Sequence, residues 1–144
     1  TFEKWAVRIG VGHNHRFGLY DMIMIKYNHV DFCGGIENAI NRVHQYLADN
    51  ELNLRIEVET RNLDEVWQVL KTGRVDRIML DNYSLEALRE AVKVIDKQFE
   101  TEASGGVNLN TVKAIAETGV DFISVGELTH SVKSLDLSFK AVVA

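Results

Sequence analysis

Residues 54–81 read LRIEVETRNLDEVWQVLKTGRVDRIMLD, and this stretch has the pattern strand, helix, strand. The two ends, 54–60 and 77–81, are short apolar runs in which side chains of opposite character alternate, as in β-strands. Between them, apolar residues recur at the three-and-four spacing of a buried helix face. Asn62 followed by Glu65 predicts a capping box at the start of this helix, and Gly73 predicts its C-cap.

The same alternation continues over the rest of the chain. Further strands are predicted at 22–27, 101–104 and 122–126, with apolar helical stripes between them. Ser84 is predicted to cap the third helix, Asn108 or Asn110 the next, and Gly119 to end it. Strands that alternate with helices at this spacing form a parallel sheet with crossover connections.

Two α/β architectures fit a parallel sheet, an open doubly wound sheet and a barrel. The dinucleotide-binding form of the open sheet has a glycine-rich turn after its first strand. The glycine-rich stretch here, around Gly10 and Gly12, lacks the third glycine and no helical pattern follows it. We therefore predict a single α/β-barrel domain over residues 1–144, an incomplete TIM-like barrel of about six strand–helix units rather than eight.

Composition and charge exclude several classes of protein. The chain has 144 residues, is 46% hydrophobic and 26% charged, and carries a net charge of −5. These values exclude a disordered chain and argue against nonspecific nucleic-acid binding. Apolar runs stay below the roughly 18 residues of a membrane helix, so no membrane partner is predicted. A single cysteine, Cys33, cannot form an internal disulfide, which favours a reducing compartment and a cytoplasmic protein.

Polar residues collect where the predicted strands end. Catalytic residues of barrels lie at the carboxyl ends of the strands. The alternation directs a set of polar residues to this rim: Lys26, Glu59, Asp81, Ser104, Ser124 and Gly126, with Thr129 and His130 just beyond. The Ser104-Gly105-Gly106 turn allows backbone N–H groups to approach an anion, and Gly126 with His130 can do the same. We predict a phosphate site there, while two ordinary tight turns are the alternative.

A group of cationic residues and histidines lies on both sides of the first strand in the sequence. It comprises His13, His15, Arg16, Lys26 and His29. Three interpretations remain open: a carboxylate-binding site, metal ligation by the histidines, and structural hydrogen bonding. Arg16 and Lys26 disfavour a metal, whereas the guanidinium fork of Arg16 suits a planar dicarboxylate.

Seven segments of the chain form a recognisable set of motifs: GVGHNHRFGLYD at 10–21, IKYNH at 25–29, IEVE at 56–59, MLDN at 79–82, ASGG at 103–106, SVGELTHS at 124–131 and LDLS at 135–138. In their order and spacing, these segments resemble one family, the quinolinate phosphoribosyltransferases. The chain departs from the family pattern at Val11, where a glycine is usual, and at Tyr27, where an aspartate is usual. The family's N-terminal α/β domain, and an Arg-Lys pair just upstream of a position like Phe2, are absent from this sequence.

The resemblance implies a reaction and partners. The family makes nicotinate mononucleotide from quinolinate and phosphoribosyl pyrophosphate, releasing carbon dioxide and pyrophosphate, with Mg²⁺, and belongs to the type II phosphoribosyltransferase fold. It implies a homodimer or a dimer-based hexamer for the full-length protein. The alternatives are a related transferase that takes another aromatic acid, and a binding-only or catalytically incomplete barrel.

The resemblance also implies residue roles. His15, Arg16 and Lys26 correspond to the quinolinate carboxylate site. Glu59 and Asp81 correspond to the acids that hold the ribose hydroxyls and Mg²⁺, directly or indirectly. The phosphate loops correspond to Ser104, Gly105, Gly106 and Gly126, with His130 close by. Lys26, Glu59 and Asp81 are the expected catalytic residues.

Overall fold

The computed structural model describes residues 2–131 and 133–142. Its five strands form one parallel sheet: β1 (Met22–Ile25), β2 (Arg55–Thr60), β3 (Arg77–Asp81), β4 (Glu100–Ser104) and β5 (Phe122–Ile123). Seven helices accompany them in the described residues: α1 (Phe2–Ile9), α2 (Tyr27–Cys33), α3 (Ile36–Asp49), α4 (Leu63–Thr72), α5 (Leu85–Ile95), α6 (Val112–Ala116) and α7 (Glu127–His130).

The spatial order of the strands follows their order in the chain, β1-β2-β3-β4-β5. An open doubly wound sheet would instead reverse its strand order at a switch point. The sequential parallel order is that of a barrel wall, which confirms the predicted architecture. Among the described residues, β1 and β5 each pair with one neighbour only, so these strands form an arc and the barrel is incomplete.

The two faces of the sheet have opposite character. The face toward the helices is apolar, and its strand residues join the helix stripes in one core: Ile25, Ile56, Val58, Ile78, Leu80 and Ala103 with Ile36, Ile40, Val66, Val69, Leu88, Ala91, Ile95 and Ile115. The inner face carries the alternate residues, including Glu57, Glu59, Arg77, Met79 and Glu102. The predicted assignment of β2 and β3 side chains to these faces is confirmed.

Two helix starts carry the predicted side-chain caps. The Asn62 side chain accepts a hydrogen bond from the Glu65 N–H at 3.0 Å, and Ser84 Oγ accepts one from the Ala87 N–H at 3.2 Å. The predicted capping box is only half formed, because Glu65 accepts the N–H of Arg61 rather than that of Asn62. These caps place the start of each helix just beyond the end of the preceding strand.

The predicted start of the fourth long helix was wrong. Helix α6 begins at Val112 with Thr111 at the N-cap, so neither Asn108 nor Asn110 caps it. Leu109, whose spacing from Val112 and Ile115 predicts a place on the apolar stripe of this helix, is 93% exposed. The stretch after β4 is instead a turn, in which Thr111 Oγ1 accepts the Asn108 N–H at 2.9 Å.

The first and last strands are shorter than predicted. Strand β1 ends at Ile25, and Lys26 is the N-cap of α2, whose first turn includes His29. Strand β5 covers two residues, so Ser124 and Gly126 lie in the segment that follows it. None of the helices within residues 2–131 and 133–142 is long and apolar enough to cross a membrane.

Candidate functional site

A cavity of about 460 Å³ opens at the carboxyl ends of the strands. Residues from all five strand ends line it: Met24, Lys26, Glu59, Met79, Asp81, Ser104, Gly105, Gly106, Val107, Ser124, Gly126, Glu127 and His130. We call this space the rim cavity. It brings together eight of the ten residues expected to form the site, and its volume is in the range of small-ligand pockets.

The two expected acids lie on neighbouring strands of the rim cavity. Glu59 is 8% exposed, and its Oε2 accepts the Tyr27 N–H at 3.1 Å. Asp81 accepts the Ser104 hydroxyl at 2.6 Å on one oxygen and the Asn82 amide at 2.8 Å on the other. Both carboxylates are therefore held in place by short contacts from adjacent strand ends while they border the cavity.

Lys26 follows β1 directly, one residue beyond the pair Ile25–Val58 in the strand register. Its backbone N–H donates to His29 Nδ1 at 3.0 Å, which secures the start of α2. The side chain is exposed at the cavity wall and provides a cation on the same rim as the two acids.

The Ser104-Gly105-Gly106 turn depends on both glycines. Their φ angles are +91° and +62°, a region that favours glycine. A Cβ at Gly105 would also collide with the Asn82 side chain. No helix follows this turn immediately, because α6 starts only at Val112. A helix starting directly after the turn would add a favourable dipole, but none starts there, so backbone N–H groups are what the turn offers an anion.

Gly126 and His130 line the cavity beside the Ser104-Gly105-Gly106 turn, because they follow β5, the strand next to β4. They lie at either end of the single turn α7, where the His130 N–H donates to the Gly126 carbonyl at 3.2 Å. A Cβ at Gly126 would come within 2.9 Å of His130 Nε2. The glycine thus allows the imidazole to fold back over the turn beside the cavity.

His15 and Arg16 lie outside the rim cavity. His15 lines a second cavity of about 370 Å³, with Lys4, His13 and Asn14 among the other lining residues. The two cavities share Ser124 and Gly126 in their walls. Arg16 lines neither, and its Nη1 lies 3.5 Å from the Met22 carbonyl oxygen. The residues expected to form one carboxylate-binding site therefore lie apart: Lys26 at the rim cavity, His15 at the second cavity and Arg16 at neither.

A buried charge network inside the barrel was not anticipated in full. His15 Nε2 lies 2.7 Å from Glu57 Oε2 and 3.5 Å from Glu102 Oε1. Arg77 Nη1 donates to Glu102 at 2.5 Å. Burial raises the pKa of Glu57, as does the negative charge of Glu102, against the opposing effects of His15 and Arg77. The strand alternation that directs Glu57 inward also predicts an inward Glu102, two residues before Ser104.

Two groups of residues have donor sets suited to a cation. Glu59 and Asp81 offer carboxylate oxygens at the rim. His15, Glu57 and Glu102 each place one donor atom within 4.8 Å of the others. Oxygen donors alone suit Mg²⁺, whereas a set with an imidazole suits Zn²⁺ or another transition metal.

Known proteins match this chain over nearly its whole length. Residues 1–140 match the family model described as quinolinate phosphoribosyl transferase, C-terminal domain. A chloroplastic nicotinate-nucleotide pyrophosphorylase (carboxylating) of Arabidopsis thaliana is 51% identical over 96% of the chain and 44% of its own length. A probable nicotinate-nucleotide pyrophosphorylase (carboxylating) of Bacillus subtilis is 44% identical over 99% of the chain and 48% of its own length.

Solved structures agree with this. The crystal structure of NadC from Streptococcus pyogenes superimposes with a TM-score of 0.87 at 41% identity, covering 97% of this chain and 48% of that one. The chain thus spans about half the length of the relatives that it matches. With the family model covering residues 1–140, the chain belongs to the quinolinate phosphoribosyl transferase family, in the part that corresponds to its C-terminal domain.

Proposed function

We propose that the chain is the barrel domain of an enzyme that transfers the phosphoribosyl group of phosphoribosyl pyrophosphate to quinolinate. The products are nicotinate mononucleotide, pyrophosphate and carbon dioxide, a step of NAD biosynthesis. The observation that carries this proposal is the rim cavity, in which two carboxylates, a lysine and two glycine turns meet. The names of the Arabidopsis and Bacillus relatives support the same reaction.

The glycine turns supply the phosphate contacts in this proposal. Gly105 and Gly106 keep side chains away from the cavity wall, so that backbone N–H groups can donate to the phosphate of the ribose 5-position. Gly126 serves in the same way at the end of the neighbouring strand, with His130 beside it. The Ser104 hydroxyl donates a hydrogen bond to Asp81 and so acts by orienting that carboxylate.

Glu59 and Asp81 act on the sugar. As pyrophosphate leaves the anomeric carbon with the bonding electron pair, positive charge builds up on the ribose ring. Carboxylates fixed nearby stabilise that charge, and they also accept hydrogen bonds from the ribose hydroxyls. The ring nitrogen of quinolinate then forms the new bond to the anomeric carbon.

Lys26 acts on the acid substrate. The carboxylate next to the ring nitrogen leaves as carbon dioxide, and its bonding electron pair stays on the ring carbon until a proton is taken up. An ammonium group at the cavity wall stabilises the substrate carboxylates and this developing negative charge. His15 contributes from the second cavity, across the shared wall of Ser124 and Gly126.

The donor chemistry at the rim fits Mg²⁺. This ion takes oxygen ligands, commonly from one or two carboxylates, with the remainder from water and substrate phosphates. Glu59 and Asp81 are the residues that would hold it, directly or through water. When bound, it would neutralise charge on the pyrophosphate leaving group.

We also propose a cytoplasmic homodimer, or a hexamer built from dimers. The lone cysteine, Cys33, is free, as expected in a reducing compartment. None of the described side chains of α1 is buried, and this helix exposes Phe2, Trp5 and Ile9. Such a surface supports a further protein contact. Light scattering on the full-length protein measures the assembly state.

The test combines binding and turnover in the full-length protein. Calorimetry with phosphoribosyl pyrophosphate and Mg²⁺ should show binding, and an assay with quinolinate should show nicotinate mononucleotide and carbon dioxide in equal amounts. Binding without product would support a binding-only barrel. Binding of phosphoribosyl pyrophosphate but not of quinolinate would instead support a transferase for another aromatic acid.

A further inference from the structure

The inner wall of the barrel places two buried carboxylates beside one nitrogen of a histidine. Glu57 is 0% exposed and Glu102 is 1% exposed. Both lie on the same side of His15, 2.7 Å and 3.5 Å from its Nε2. The remainder of the imidazole borders the second cavity, where a quarter of the side chain is exposed. One edge of the ring therefore lies in the barrel interior and the rest faces the cavity.

The two carboxylates differ in how they are satisfied. Glu102 accepts Arg77 on one oxygen and the Ser124 hydroxyl on the other. The Glu57 carboxylate forms one hydrogen bond in the described residues, between its Oε2 and His15 Nε2. Its other oxygen, Oε1, is buried and has no hydrogen-bond partner among residues 2–131 and 133–142. Because an unpaired buried carboxylate is unfavourable, the His15 hydrogen bond stabilises Glu57 in this position, together with the positive charge of Arg77.

This arrangement determines which nitrogen the ring presents. Two carboxylate oxygens beside Nε2 favour a proton on that nitrogen. The same contacts hold the ring by Nε2 at the barrel interior, which leaves Nδ1 for a ligand in the cavity. We propose that Glu57 and Glu102 are positioning residues, which hold His15 through Nε2–H so that its Nδ1 edge meets a carboxylate of the acid substrate. This inference rests on the proposed function.

A metal ion is the competing interpretation of these three side chains. Their donor atoms are close enough to one another for one. However, both Glu102 oxygens are already used by Arg77 and Ser124, and the Arg77 guanidinium adds a positive charge next to the position that the ion would take. The other ionisable groups at this cavity are Glu3, Lys4 and His13. A proton on His15 serves the same electrostatic purpose without displacing these bonds.

The first test is spectroscopic and needs no turnover. Nitrogen-15 NMR of the full-length protein should show His15 protonated at Nε2. Glu57→Leu, which removes both acceptor oxygens at similar volume, should shift the ring toward a mixture of tautomers, while Glu57→Gln should shift it less. A wild-type His15 that carries its proton on Nδ1 alone, or identical His15 signals in all three proteins, would overturn the proposal.

The second test is a double-mutant cycle in the activity assay. Glu57→Leu should raise the KM for quinolinate at least about tenfold with kcat within about threefold, and Glu57→Gln should recover part of this loss. In a His15→Ala background, Glu57→Leu should have no further effect, because Glu57 acts through His15. An equal effect in both backgrounds would overturn the proposal. Glu90→Gln, on the exposed side of α5, is the matched control for a lost carboxylate.

A third measurement distinguishes the positioning role of Glu57 from a metal site. Titration with Zn²⁺ should leave the His15 signals unchanged, and a Zn²⁺ complex that is lost in Glu57→Gln would show a metal site and overturn the positioning role. If the wild-type protein makes no nicotinate mononucleotide, the proposed function fails, and the NMR experiment still decides whether Glu57 positions His15.

Discussion

The environment of a carboxylate in this chain changes completely within two residues. Glu57 and Glu59 project from the same face of β2, but Glu57 lies inside the barrel and contacts His15, whereas Glu59 borders the rim cavity. Depth along the strand thus separates a structural acid from one that can meet a ligand. The repeating alternation of a strand predicts the face of each residue, and the position of Glu59 closer to the carboxyl end of β2 predicts that it lies nearer the rim.

Substitution of the rim residues should reduce activity with little loss of stability. Lys26→Ala, Glu59→Ala and Asp81→Ala are each expected to lower kcat/KM at least about tenfold, a barrier change of about 1.4 kcal/mol or more, because each removes a charge from the reacting groups. Steady-state kinetics of the full-length protein measures this, with Glu90→Gln as control. Near-normal rates in all three variants would contradict the site assignment.

Glu100 should stabilise the fold in a pH-dependent way. Burial alone would raise the pKa of Glu100, but hydrogen bonds from Arg55 and Arg77 outweigh it and leave the pKa below its ordinary value of 4.5. Since the folded pKa is lowered, the stabilisation is present above pH 4.5 and is lost as the pH falls through the folded value.

Urea unfolding of Glu100→Gln checks this sign. At pH 7 the free energy of unfolding should fall by up to about 1 kcal/mol, the range for an ion pair that is partly exposed to solvent. The difference from wild type should shrink at pH below 4.5. A difference that stays constant or grows toward acid pH would show that the ion pair with Arg55 and Arg77 is not its source.

At the scale of elements, the turn after β4 should be the most sensitive to an added side chain. Gly105→Ala forces φ +91° on an alanine and presses its Cβ against Asn82, whose amide donates to Asp81. We expect a KM for phosphoribosyl pyrophosphate at least about tenfold higher, together with about 1–2 kcal/mol of strain.

Gly73→Ala is the matched control for this variant. Gly73 also has a positive φ, +65°, but open space surrounds its missing Cβ, and it ends α4 away from the rim. Chemical unfolding should show a loss of stability for both variants, larger for Gly105→Ala because its Cβ also collides with Asn82, while only Gly105→Ala changes KM. Equal KM values for the two would mean that the turn does not hold the phosphate.

The elements that could be predicted from sequence are those with strong periodicity. The core strands, the α4 and α5 caps at Asn62 and Ser84, and the C-cap at Gly73 follow from local rules. Helices α1 and α2 could not be predicted from local pattern. Helix α2 is short and begins at Tyr27, whose N–H is held by Glu59 from another strand. A contact 32 residues distant in sequence leaves no local signal.

The same reason explains the partial prediction of the site. Residues at strand ends were placed correctly at the rim, because parallel strands bring their carboxyl ends to one edge. His15 and Arg16 lie between α1 and β1 in a segment with neither helix nor strand, and their positions depend on Glu57 and on the Met22 carbonyl. His15 and Arg16 are close to Lys26 in the sequence, but they do not line the same cavity as Lys26.

At the scale of the whole molecule, one end of the sheet carries the chemistry and the other carries none that we assign. Five parallel strands direct their carboxyl ends to the rim cavity, and the sheet has two edges, β1 and β5, in the part of the chain described. Relatives are about twice as long as this chain. The central claim is that the rim cavity binds phosphoribosyl pyrophosphate for transfer to an aromatic acid.

A crystal structure of the full-length protein with phosphoribosyl pyrophosphate, Mg²⁺ and a non-reactive quinolinate analogue tests that claim most directly. The account predicts phosphate density against Gly105, Gly106 and Gly126, and ribose hydroxyls within hydrogen-bond distance of Glu59 and Asp81. Density for the phosphoribosyl group at any other cavity, with the rim cavity holding only solvent, would contradict it.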